Sequence, residues 1–359
     1  GALAKYLAQA GQRVGVVTPL YAGIREKFPN LQSFPLRLTL PLGPHFFQAE
    51  VWTLHPAENL TLYFIDQPGF YQRPGLYQDG GQDYRDNAER FIFFSKCVVF
   101  LARNLDWQPE IVHAHDWQAG LVPLLIRQQK TFEGWGMAPK TCLTIHNQAF
   151  QGNFPAPKFA LTNLSWELYH TLGAEFYASM NCLKSGIVNA DIITTVSPRY
   201  AREITTPEFG HGLDGVLRER QSALVGILNG VDYEEWNTTH NPLLRHAFSS
   251  ESMDGKTAEK LDVQSELRLP HAARIPLFGT VTRLAHQKGI DIELGALEEM
   301  LGADMQFVLL GSGQPEYEAA FQDLARRHPT KVTAQIGYDH RLSHRIEADC
   351  DFYVMPSRY

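Results

Sequence analysis

The chain has 359 residues, 44% apolar and 20% charged, a globular-enzyme composition too long for one ordinary core, so two domains are expected. Its formal charge of −7 argues against a nucleic-acid partner, and no run of 18 apolar residues is present to span a membrane. Cys97, Cys142, Cys182 and Cys350 lie far apart without metal-type spacing and read as reduced core thiols of a cytosol-like compartment.

Short apolar runs alternate with helical patterns throughout, the signature of an α/β fold with a parallel sheet. The first helix, 2–10, opens the chain without an initiator Met, so the amino end reads as a cut within a larger protein. A strand follows at 14–19. Residues 34–63 alternate less regularly and read as a β excursion at the edge of the first domain. Segments 44–47 and 67–82, rich in Gly, Pro and aromatics, read as long loops near a cleft. Helix 84–104, strand 111–116, helix 119–129, strand 142–147, helix 179–190, strand 192–197, helix 215–220 and strand 224–229 complete this domain, assigned to 1–240.

The polar stretch 238–253 reads as a hinge and 255–269 as a helix closed by Pro270, which together give a hinge and linker helix over 241–270. A second alternation fills 271–359, with strands at 277–281, 305–310, 332–336 and 352–355 and helices near 289–301, 315–327 and 341–348. It ends at Tyr359 directly after strand-like 351–356, so this end also reads as a cut and the second domain as truncated.

In open α/β sheets ligands bind beyond the carboxyl ends of the strands, so strand-ending residues carry most weight. Arg283 and Lys288 sit between a strand and a helix N-terminus, an anion trap suited to a phosphate or diphosphate; the alternative is a solvated basic pair. The string Ile-Val-His-Ala-His-Asp-Trp ends a strand at 111–117 with His113 and His115 on one face. These imidazoles can contact a sugar hydroxyl, and Trp117 can stack on a sugar ring or pack. H-x-H-D also offers zinc ligands, but no third His/Cys cluster supports a metal. His146, Asn147, Gln148 and Gln151 end the next strand, four neutral hydrogen-bonding groups that suit a polyhydroxyl ligand or a capped, solvated loop. Asp86 opens the 84–104 helix, where a carboxylate also favours the dipole. Asn229-Gly230 is a turn signal of low specificity. Gly311-Ser312-Gly313 lacks the third glycine of a dinucleotide fingerprint, since position 316 is Glu, and reads as a tight strand-to-helix turn at a nucleotide cleft.

Taken together, six strings resemble the bacterial glycogen synthases and plastid starch synthases. They are H-A-H-D-W at His113–Trp117, T-I-H-N-Q-A-F-Q-G at Thr144–Gly152, V-S-P-x-Y-A-R-E-I at Val196–Ile204, L-N-G-V-D at Leu228–Asp232, T-R-L-x-x-Q-K-G at Thr282–Gly289 and I-G-Y at Ile336–Tyr338; Pro356-Ser-Arg358 joins them. The resemblance implies a GT-B architecture, two Rossmann-like domains facing a cleft, with glucan acceptor on the first and nucleotide sugar on the second. It implies a retaining transfer of glucose from ADP-glucose to the non-reducing end of an α-1,4-glucan, without a cofactor, in a bacterial cytoplasm or plastid stroma.

By the same resemblance Arg283 and Lys288 hold the donor diphosphate, and His115, more than His113, bonds the transferred glucose. Asp86 is the acidic group near the acceptor. Asn229 and Gly230 line the donor pocket, and Gly311 and Tyr338 join the substrate-binding set. The family's K-x-G-G-L loop is missing, and its E-P-C-G segment would follow Tyr359, so the piece by itself is expected to be inactive. Another GT-B glucosyltransferase using UDP-glucose or of sucrose-synthase type, a non-catalytic glucan-binding pseudoenzyme, and a dinucleotide oxidoreductase are the rival readings.

Overall fold

The computed structural model describes residues 2–132 and 134–358; the expected cuts at Gly1 and Tyr359 fall outside them. The chain divides into two compact units, Gly1–Gly230 and Val231–Tyr359.

The first unit opens with helix α1 (Ala2–Gln9), then strands β1 (Val14–Pro19), β2 (Gln32–Leu42), β3 (His45–Ala57) and β4 (Leu60–Asp66). They form one sheet in the order β1-β4-β3-β2, with β1 and β4 parallel and the β2–β3–β4 meander antiparallel. The segment expected as a loop at 44–47 is instead a hairpin. Leu42 pairs with His45, so Gly43 and Pro44 make a two-residue turn in which the missing proline N–H costs no ladder bond.

A second, all-parallel sheet follows, built from β5 (Ile111–His115), β6 (Lys140–Ile145), β7 (Ile192–Thr195) and β8 (Leu224–Gly226) in the order β8-β7-β6-β5. Helices α2 (Asn87–Asn104), α3 (Val122–Phe132) and α4 (Cys182–Asn189) accompany it. One core joins both sheets. Leu38, Val51 and Ile65 from the first meet Leu143, Ile145 and Ile193 from the second and Phe91, Phe93 and Ile187 from the helices. Arg90, fully buried on α2, holds the 67–82 segment: Nε donates to Phe70 O at 2.7 Å, Nη2 to Leu76 O at 2.9 Å and Nη1 to Asn87 Oδ1 at 2.7 Å.

The second unit contains α5 (Asp254–Glu266), β9 (Leu277–Leu284), α6 (Ile290–Met300), β10 (Gln306–Gly313), α7 (Pro315–Arg327), β11 (Val332–Ile336), α8 (His340–Asp349) and β12 (Phe352–Tyr353). Its parallel sheet runs β11-β10-β9-β12. Phe307 and Leu309 of β10 join a core with Phe321 and Leu297, while Val308 and Leu310 join one with Val263 and Ile346. Helices thus cover both faces, which is why β10 reads as a continuous apolar run.

The expected boundary at 240, with a hinge and linker over 241–270, differs from the structure. Residues 231–270 belong to the second unit. The buried Glu259 carboxylate accepts from the backbone N–H groups of Arg245 and His246, and Lys260 Nζ pairs with Asp351 at 2.5 Å. Polar composition there marks paired groups, not a free hinge. All four cysteines are free thiols, three of them buried.

Candidate active site

At the carboxyl end of β5 the alternation of the strand turns Ala114 inward and leaves His113 and His115 outward. The two rings stack with centroids 4.3 Å apart, and His146, just past β6, continues the row at 5.2 Å from His115. His113 Nε2 lies 2.6 Å from Thr144 Oγ1, which lies 2.6 Å from Thr194 Oγ1, so His113 closes a hydroxyl row crossing three strands. His115 Nδ1 meets His146 Nε2 at 3.0 Å, which leaves His115 Nε2 without a partner among the described residues.

Loss of hydration lowers both titrations, with the neighbouring imidazoles adding to it, and His115 is pushed down to about 4. A neutral imidazole at physiological pH can both donate to and accept from a sugar hydroxyl. The sign follows by linkage. Between the ordinary 6.5 and about 4, the unfolded chain binds a proton that folded His115 refuses, so stability falls as pH drops through that window and is unaffected above it. An NMR titration of the imidazole is expected to show a midpoint near 4. A midpoint at the ordinary histidine value would contradict this environment.

Asp116, which sequence reasoning weighed only as part of a disfavoured zinc set, organises the corner. Its φ of 53° lies in the left-handed region, its N–H donates to Thr144 O at 2.9 Å, and its Oδ1 accepts from His146 N at 2.7 Å. A carboxylate that follows H-x-H at a strand end was the available signal.

Two expectations need correction here. Trp117 is buried among Phe91, Tyr77 and Phe154, with Phe91 4.9 Å away. An indole burying on the order of 200 Å² gains roughly 5 kcal/mol at about 25 cal/mol/Å², so it packs and offers no face to a sugar. Gln148 is also fully buried; its Nε2 donates to Gly210 O at 3.4 Å, while Gln151 Nε2 donates to His211 O at 3.0 Å. These Nε2 donors fasten the 205–211 loop instead of meeting solvent, while Gln148 Oε1 is buried without a hydrogen-bond partner among the described residues. Asn147 is half-buried, its Oδ1 accepting from Ala149 N at 3.0 Å.

Asp86 stands at the N-cap position of α2 without a side-chain capping hydrogen bond, its carboxylate instead gripped by Nη1 and Nη2 of Arg73, at 2.7 and 2.6 Å. Burial opposes ionisation, but the Arg73 hydrogen bonds and charge prevail and hold the carboxyl below its ordinary value. Asn229 and Gly230 are exposed in an irregular stretch; β8 stops at Gly226, short of the expected strand over 224–229.

In the second unit β9 runs to Leu284, beyond the expected 281, so Arg283 is a strand residue opposite Ser312. The Gly311–Gly313 string, expected as a turn, is also strand. A Cβ on Gly311 would sit 2.1 Å from Thr282 O, so glycine serves a close backbone approach there. Lys288 ends a 3-10 turn, and Gly289, at φ 70°, starts α6 without a side-chain cap. Asp291 in the first turn of α6 is taken by Arg358 at 2.5 Å, and the Arg358 N–H donates to Gln287 O at 2.9 Å. Neither Arg283 nor Lys288 meets a carboxylate among the described residues, and Lys288 directly precedes the uncapped N-terminus of α6. Tyr338 is exposed, its Oη 3.4 Å from His340 Nδ1.

Residues 1–219 match the family described as the starch synthase catalytic domain. A glycogen synthase of Opitutus terrae is 43% identical over 358 residues, covering 99% of this chain and 75% of that protein. One of Anaeromyxobacter dehalogenans is 44% identical over 361 residues, covering 100% and 74%. The catalytic domain of starch synthase IV from Arabidopsis thaliana, bound to ADP and acarbose, superposes with a TM-score of 0.90 at 29% identity, covering 100% of this chain and 74% of that one.

Proposed function

We propose, from the premise that this chain belongs to the starch synthase catalytic domain family, that it transfers glucose from ADP-glucose to an α-1,4-glucan with retention at the anomeric carbon. That it is a glycosyltransferase of the glycogen and starch synthase kind, with a GT-B α/β fold, follows from the family and from the likeness over the whole chain. The nucleotide, the stereochemistry and the residue roles are the further reading.

The observation that carries it is Lys288 at the uncapped start of α6, with Arg283 near the carboxyl end of the strand that leads into it. In the reaction the bond from glucose C1 to the diphosphate oxygen breaks. A bond from C1 to the terminal 4-hydroxyl oxygen of the glucan forms, and the hydroxyl proton leaves with the diphosphate or to water. Negative charge grows on the leaving diphosphate, and two cations with a helix N-terminus stabilise it without a cofactor. Two charge-assisted contacts at about 1.5–3 kcal/mol each outweigh the neutral contacts of the imidazole row. His115 Nε2, with His113 and His146 behind it, orients the sugar, and ionised Asp86 serves the acceptor side. ADP in the starch synthase IV structure supports the adenine nucleotide. No helix is long and apolar enough to cross a membrane among the described residues.

The test is glucose incorporation into glycogen from ADP-glucose and from UDP-glucose, with the linkage formed read by NMR. We expect kcat/KM for ADP-glucose to exceed that for UDP-glucose by about 10-fold or more, a difference of roughly 1.4 kcal/mol, and an α-linked product. A preference for UDP-glucose, or glucan binding with no transfer, would refute the reading.

A further inference from the structure

A second constellation lies away from the strand-end residues described above. His340 and His344, one turn apart on α8, present their Nε2 atoms on one face, and Glu235 reaches toward them from the turn after Asp232. The three ligand atoms lie within 4.8 Å of one another, with Glu235 Oε1 3.9 Å from each Nε2. That separation is too long for a hydrogen bond. His344 is 3% exposed, and its Nε2 is buried without a hydrogen-bond partner among the described residues. Trp236 stacks flat on the same ring at 3.9 Å, and the Asn241 amide lies 3.1 Å from its Nδ1. The ring is therefore fixed, with one nitrogen aimed at Glu235 and His340.

We propose that Glu235, His340 and His344 bind a divalent transition metal of the zinc class. Two imidazoles and a carboxylate are a zinc donor set, and the i, i+4 spacing puts both rings on one helical face. Bonds of about 2.0–2.1 Å in tetrahedral array separate ligand atoms by about 3.3 Å. Glu235 and His340 are exposed and free to close the remaining distance onto the fixed His344. Water fills the fourth position. Tyr338 Oη stands 3.4 Å from His340 Nδ1, a partner of the kind that tunes metal-bound histidine. Asn241 presents Nδ2 to His344 Nδ1 at 3.1 Å while its Oδ1 accepts from Leu243 N, so metal binding at Nε2 requires this amide to flip and release Leu243 N. The ion ties residues 235–241 to α8 and fixes the turn that carries Tyr338.

The experiment uses the purified chain, stripped with EDTA and titrated with zinc chloride by calorimetry. We expect one ion per chain, and the visible spectrum of four-coordinate Co2+ when cobalt replaces zinc. His340→Ala, at an exposed position, is expected to weaken zinc binding by about 100-fold and Glu235→Gln by about 10-fold. His271→Ala, outside the cluster, should leave affinity unchanged. Zinc should also alter the emission of Trp236, and Trp236→Phe should lose that signal while still binding the ion. No saturable zinc binding, or wild-type affinity in His340→Ala, overturns the proposal.

Discussion

Replacing Arg283 or Lys288 by Ala is expected to lower glucose transfer from ADP-glucose by about 100-fold or more, with most of the loss in kcat. The size follows from what the two cations do. A donor aimed at charge that grows only in the transition state is worth about 10²–10³ in rate, or roughly 2.7–4 kcal/mol. Here the positive end of α6 has no side-chain cap, and neither cation is drained by a carboxylate among the described residues. Their full charge is therefore available to a diphosphate. Ground-state binding of the nucleotide would also weaken, so KM rises, but a purely uniform loss would leave kcat intact. Lys288→Arg keeps charge and loses shape, and should fall between the two. Steady-state kinetics decide the matter: near-normal kcat in both Ala variants would mean that the basic pair is only a solvated surface feature.

The second large effect concerns folding. Gly120 follows the imidazole strand end and lies against the start of α4. A Cβ on it would stand 2.3 Å from Cys182 O and 2.7 Å from Cys182 C, while a Cβ on Gly186 would stand 2.8 Å from Gly120 O. Gly120 itself has an ordinary right-handed conformation, with φ −62°. In open space Gly→Ala at such a site would stabilise by about 0.4–1 kcal/mol through the unfolded chain. Here backbone meets backbone and neither side can yield, so the sign inverts. Gly120→Ala is expected to destabilise by about 3 kcal/mol, at the upper end for overpacking. Gly295→Ala, in the middle of α6 with nothing within 4 Å of its Cβ, is the matched control and should stabilise by about 0.5–1 kcal/mol. Urea denaturation followed by circular dichroism measures both. Equal small effects in the two variants would show that the α4 contact is looser than drawn.

How much was legible in the sequence depended on whether a residue's neighbours lie along the chain or across it. The strands at 14–19 and 332–336 and the helix at 315–327 stand where periodicity predicts them. So does the α/β alternation of both units, since each element writes its own pattern. Failures came where the partner is distant. Trp117 and Gln148 stand in strings that point to ligand contact, yet lie among residues from other elements that bury them. Glycines at 311 and 313 read as a tight strand-to-helix turn, whereas they let β10 pass close to β9. The polar stretch after 240 reads as a hinge because its partners, Glu259 among them, lie further along the sequence. Glu235 and the two α8 histidines share no motif at all; only the fold brings them together.

The backbone at Asp116 has a wider consequence. A non-glycine residue held at φ 53° costs about 1–3 kcal/mol, and glycine there would relieve it. Glycine would also remove the carboxylate that gathers the amides of His146 and Asn147. The fold has thus accepted a lasting loss of thermal tolerance so that one corner keeps its shape before any guest arrives. On the proposed reading of the site, the sugar enters a corner already set, and hardening the protein against heat by relaxing that residue would soften it.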